Sequence, residues 1–147
     1  METLADAIYT QAVKPGMDVS EQALALYTWL TDHVQYDRRY YSDPANLPYD
    51  AMTAYGALHD QLAICGGYAQ ALQMLFERAG IPCWTVSGQA GGENHMWNIA
   101  YLDGQWCYFD ATSDRGCSAF GFRYFGVSAD VLARYTWDRD WVSRLTD

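Results

Sequence analysis

The dipeptide Asp103-Gly104 stands between two runs with strand-like alternation, Asn94 to Leu102 and Gln105 to Thr112, and no other feature constrains the chain as tightly. Asp-Gly favours a two-residue hairpin because both turn positions need a positive φ, which Gly adopts freely and Asp tolerates. The two runs are therefore expected to pair as antiparallel strands, with Leu102 opposite Gln105. Counting outward from that pair puts Trp97 opposite Asp110 and His95 opposite Thr112. His95 and Asp110 become diagonal neighbours on one face, with Cβ atoms about 7–8 Å apart or slightly less, within reach of a carboxylate–imidazole hydrogen bond.

Upstream, Ile64 to Gly80 reads as an amphipathic helix that begins with a cysteine. Tyr68, Ala69, Leu72, Leu75, Phe76 and Ala79 recur at three- and four-residue spacing and form its apolar stripe, and Gly80 and Pro82 end it. A thiol at the first helical turn, here Cys65, lies beside unpaired backbone N–H groups and the positive end of the helix dipole, which favour a thiolate. Gly66 and Gly67 follow it and are expected to let a substrate backbone approach the sulfur. The competing reading of Cys65 alone is a small buried core residue.

A thiolate nucleophile needs an imidazole to manage its proton, and the imidazole needs a third group to hold its ring. Cys65, His95 and Asp110 supply that set. The chain is 147 residues long, half hydrophobic and 16% aromatic, which predicts a single folded domain over residues 1–147. Its net charge of −9 excludes the clustered basic surface on which nucleic-acid binding depends. No apolar run is long enough to span a bilayer, and Met1 to Gln11 lack the order of a signal peptide, so a soluble chain is expected, with its compartment left open. The four cysteines, Cys65, Cys83, Cys107 and Cys117, include no C-x-x-C pair, so neither a disulfide framework nor a zinc site is expected. A Cys107–Cys117 bridge would fit only an oxidising compartment.

The remaining segments divide into a helical part, about 1–80, a sheet part, about 81–127, and a C-terminal helix, about 128–147. A first helix covers residues 1–14 and a second about 20–33, capped by Asp18 or Ser20. Tyr36 to Tyr49 reads as a tyrosine-rich ordered loop of the kind that borders binding sites, and Asp50 to Leu58 as a short helix. Ile81 to Gly88 and Gly121 to Val127 read as strands, with a helix from Ser128 to about Tyr135.

Three blocks, Ile64-Cys65-Gly66-Gly67-Tyr68-Ala69, His95-Met96-Trp97-Asn98 and Asp110-Ala111-Thr112, resemble the signatures of the transglutaminase-like superfamily in order and spacing, most closely its small bacterial members. The similarity extends to Trp29-Leu30, Val34 to Asp37, Gly80-Ile81-Pro82, Val86-Ser87-Gly88 and Tyr124 to Ser128. Met96 stands where that family commonly has alanine, and Ser113 where it commonly has an aromatic residue. The resemblance implies an α+β, papain-like transglutaminase core, with N-terminal helices and a cysteine-bearing helix packed on an antiparallel sheet. It also implies a Cys65-His95-Asp110 triad acting by acyl transfer on a protein or peptide substrate, as a cysteine peptidase, amidase or transglutaminase. No segment resembles a calcium site, and no cofactor or metal is expected.

The oxyanion is expected to be held by the Cys65 amide and an upstream side chain, with Gln61 and His59 the candidates and Tyr55 a third. Trp97 is expected to wall the site and Asn98 to support the sheet from its other face. The alternative is a non-catalytic peptide- or glycan-binding module on the same fold, using an aromatic-lined cleft.

Overall fold

The computed structural model describes residues 1–147. Helices α1 (Glu2–Ala12) and α2 (Val19–His33) open the chain. Asp18 starts α2 with a reciprocal cap: its carboxylate accepts the Glu21 N–H, and the Glu21 carboxylate accepts the Asp18 N–H, an arrangement worth about 1 kcal/mol. A short strand β1 (Gln35–Tyr36) leads into helix α3 (Arg39–Ser42). Tight 3-10 turns at Pro44–Asn46 and Tyr49–Met52 and a π turn at Gly56–Asp60 follow. Strand β2 (Leu62–Ala63) then pairs in parallel with β1 and delivers the chain to α4 (Cys65–Arg78).

The sheet contains β3 (Cys83–Ala90), β4 (Glu93–Leu102), β5 (Gln105–Phe109), β6 (Phe125–Val127) and β7 (Tyr135–Trp137), before a final helix α5 (Arg139–Thr146). Its order is β6-β5-β4-β3-β7, and every pairing is antiparallel. Leu102 pairs with Gln105, as the turn residues require, and Asp103 and Gly104 both have positive φ, 54° and 81°. A second tight hairpin, through Gly91-Gly92, joins β3 to β4, with Ala90 paired to Glu93.

Alternation along the strands creates two cores. Ala100, Leu102, Cys107 and Phe109 face the helices and pack with Tyr27, Leu30, Tyr68, Leu72 and Phe76. The other face carries Val86, Trp97, Ile99 and Tyr108, and the C-terminal segment covers it with Leu132 and Val142. The fold is the expected α+β arrangement of helices on an antiparallel sheet. No helix is long and apolar enough to cross a membrane.

Three local expectations are corrected. Residues 50–58 do not form one helix: a Cβ on Gly56 would sit 2.0 Å from the Asp50 carbonyl oxygen, so the chain doubles back there and divides into two turns. The expected strand from Gly121 shortens to Phe125–Val127, because Arg123 and Tyr124 spend their N–H groups on the buried Asp114 carboxylate. The expected helix from Ser128 is a 3-10 turn at Ala129–Leu132, followed by β7 and α5. Gly88 permits that extra strand, since a Cβ there would lie 2.1 Å from the Thr136 carbonyl oxygen.

Candidate active site

Cys65 is the first residue of α4, and Ile64 before it offers no side-chain cap. The Gly67 N–H turns back to the Ile64 carbonyl at 3.0 Å, and the Cys65 and Gly66 amides are left to whatever occupies the space in front of the helix. The entry is anchored from behind, where the Ile64 N–H donates to the Ala51 carbonyl at 2.8 Å. The sulfur opens into a cleft of about 770 Å³, shared with His95 and lined on one side by Tyr36, Tyr40, Tyr41 and Tyr49. The tyrosine-rich stretch therefore borders the site, although it folds into short helical turns instead of a loop.

His95 and Asp110 meet, although the expected strand to Thr112 ends at Phe109 and the ladder at Asn98–Phe109, leaving Asp110 one residue past β5: His95 Nε2–H donates to Asp110 Oδ2 at 2.9 Å. This bond engages Nε2 and leaves Nδ1 as the nitrogen available to Cys65. Burial alone would lower the imidazole pKa. The hydrogen bond to Asp110 and the charge of that carboxylate, with a contribution from the neighbouring Cys65, outweigh it and raise His95 to about 9. The Asp110 carboxyl lies below its ordinary range: burial pushes it up, but His95, Tyr135 and Ser113 together push it down further. A charged imidazolium facing a charged carboxylate is the state this geometry favours at neutral pH.

Asp110 is held by more than its histidine. Oδ2 also accepts the Tyr135 hydroxyl at 2.5 Å and the Ser113 hydroxyl at 2.8 Å, while Oδ1 accepts the Ser113 N–H at 3.2 Å. The carboxylate is 1% exposed, so each donor replaces hydration lost on burial. Ser113 is three residues further along the chain. Tyr135 comes from β7 and gives no sequence-level signal, because only the β3–β7 pairing brings it here.

The other expected site residues lie elsewhere or act differently. Gln61 and His59 are exposed and do not line the cleft; His59 pairs with Asp60 at 2.8 Å and stacks on Tyr55. Neither borders the cleft in which a carbonyl would meet Cys65. Tyr36 occupies that neighbourhood instead, brought there by its pairing with Ala63, just before Ile64-Cys65. Its phenol is held in the protonated, donating form, first by burial and then by the neighbouring Tyr41. Gly66 lines the cleft, but Gly67 serves packing: a Cβ there would lie 2.6 Å from Ala63 Cβ and 2.8 Å from the Ala51 carbonyl oxygen.

Trp97 is buried in the second core and stacks on the His95 ring at 5.8 Å, backing the imidazole without facing substrate. Asn98 supports the other face, donating to the Ala69 carbonyl at 2.9 Å and so tying β4 to α4. All four cysteines are free thiols. Burial raises the Cys83 thiol strongly and the Cys107 thiol to about 11. No three His, Cys, Asp or Glu side chains converge to hold a metal ion.

The model of the transglutaminase-like superfamily matches residues 4–111, and the chain belongs to that superfamily. It is 28% identical over 121 residues to the kyphoscoliosis peptidase of Homo sapiens, a match covering 71% of this chain and 18% of that protein; the Mus musculus kyphoscoliosis peptidase matches to the same extent. The chain thus spans about a fifth of the length of these relatives. Among solved structures, a TGase superposes with a TM-score of 0.68 at 18% identity, over 80% of this chain and 34% of its own. A Cytophaga hutchinsonii protein, provisionally described as a cysteine protease, superposes with a TM-score of 0.59 at 22% identity, over 92% of this chain and 45% of its own. These two likenesses establish a shared fold.

Proposed function

We propose that the protein catalyses thiol-dependent acyl transfer at peptide or glutamine-type amides, as a cysteine peptidase, amidase or protein transglutaminase. The observation that carries this reading is the His95–Asp110 hydrogen bond in the cleft onto which Cys65 opens. Cys65 as thiolate attacks the amide carbonyl, and the C–N bond breaks as imidazolium His95 gives its proton to the departing amine. Asp110 keeps the ring aligned and its charge stabilised. The resulting thioester passes its acyl group to water or to a second amine, with neutral His95 taking the incoming proton. The developing oxyanion is held by first-turn amides of α4 and the Tyr36 hydroxyl, which replaces Gln61 and His59 in that role.

The test is iodoacetamide labelling at pH 7, read residue by residue by mass spectrometry. Cys65 is expected to label at least about tenfold faster than Cys83 and Cys107, which are buried and predominantly protonated. His95→Ala removes that advantage without slowing labelling of the unfolded chain. Equal rates at Cys65 in wild type and His95→Ala would defeat the proposed chemistry and leave the tyrosine-lined cleft as a peptide- or glycan-binding site.

A further inference from the structure

Arg115 lines the same cleft as Cys65 and His95, and nothing in the acyl-transfer step uses it. Its guanidinium carbon lies 4.6 Å over the Tyr36 ring, and Nη1 donates to the Thr112 carbonyl at 2.7 Å. The head group is therefore held on a wall of the cleft by an aromatic face and a backbone oxygen. Its remaining N–H groups donate to no protein atom, and it takes part in none of the ion pairs, which use Arg39, Arg78, His59 and His95. The chain has eighteen acidic residues against nine basic ones, so an arginine without a carboxylate partner at this position is notable. Glu93, the acidic residue lining the same cleft, instead accepts the Tyr41 hydroxyl at 3.3 Å.

A planar guanidinium with free donors matches a carboxylate by paired hydrogen bonds. We propose that Arg115 recognises a substrate carboxylate next to the amide presented to Cys65, either an acidic side chain or a free C-terminus. The inference rests on the acyl-transfer reading for what happens to the amide; the recognition itself can be measured without turnover. The tyrosines beside Arg115 supply apolar area for the flanking residue, and the guanidinium selects its charge.

The test uses the Cys65→Ala protein and fluorescent N-acetyl octapeptide pools whose central residue is Asp, Asn, Glu or Gln, each with an amidated or free C-terminus. Fluorescence polarisation is expected to show a carboxylate pool binding roughly tenfold tighter than its amide counterpart, as one charge-assisted hydrogen-bonded contact supplies. Preference for the side-chain acid identifies an internal acidic residue; preference for the free terminus identifies an end-binding site. Arg115→Gln in the same background abolishes the preference, and Arg115→Lys retains part of it; unchanged circular dichroism melts show that both variants fold. Equal binding of acid and amide pools, a preference that survives Arg115→Gln, or no binding at millimolar peptide overturns the inference. Labelling of Cys65 in the wild-type protein reports separately on the acyl-transfer reading, so either conclusion can fail alone.

Discussion

Three donors converge on one oxygen of Asp110, from His95, Tyr135 and Ser113. Tyr135 and Ser113 withdraw charge from the carboxylate and so moderate its pull on the imidazolium. Tyr135→Phe should raise the His95 midpoint above about 9 and lower turnover several-fold, while Asp110→Asn should bring the midpoint down, because the burial that opposes charging remains. An NMR titration of the His95 ring checks both directions; a midpoint unmoved by Tyr135→Phe would make that hydroxyl a packing contact only. The nearness of His95 to Asp110 was readable in the sequence because a two-residue turn fixes a register, and that register holds up to Asn98–Phe109, one residue short of the carboxylate. Tyr135, Tyr36 and Arg115 were not assigned roles there, since their contacts depend on strand pairings and a loop path that no local signal announces.

At the scale of elements, the regular pieces followed from pattern and the irregular ones did not. Helix α4 and the β4–β5 hairpin carry strong periodicity and unambiguous stop signals. The 49–60 segment has helix-like spacing of Ala51, Ala54, Ala57 and Leu58, yet close backbone approach at Gly56 folds it into turns against α4. Gly67 is the matching point on the helix. Gly67→Ala should destabilise the protein by roughly 1–3 kcal/mol through overpacking, measured by urea unfolding, with catalytic loss tracking the fraction unfolded. The segment after Asp110 is pinned differently, by fully buried Asp114, whose carboxylate accepts the Tyr27 hydroxyl at 2.6 Å and the Arg123 and Tyr124 amides. Asp114→Asn faces those donors with an amide that can satisfy only some of them, at a cost of roughly 1–3 kcal/mol in the same measurement.

For the whole molecule, the His95–Asp110 pair makes stability depend on pH. His95 is raised from 6.5 to about 9, so its contribution is complete below 6.5 and disappears as pH rises through 9. Asp110 is lowered from 3.8, so its contribution is complete above 3.8 and fades as pH falls below that value. The difference in melting temperature between wild type and His95→Ala should therefore be greatest between pH 3.8 and 6.5 and shrink on both sides. A difference that keeps growing above pH 9 would contradict the charged pair.

Strand β7 completes both the sheet edge and the hydrogen bonding of Asp110, yet it emerges from the ribosome well after the cysteine helix and the hairpin have done so. Synthesis from the N-terminus lets those earlier parts collapse first. During that interval the nascent chain carries Cys65, His95 and Asp110 without the hydroxyl that steadies them, and with one face of its sheet bare. Asp110 thus acquires its full set of donors only when the C-terminal segment closes over the sheet, so that docking of the tail and completion of the carboxylate's surroundings are one event.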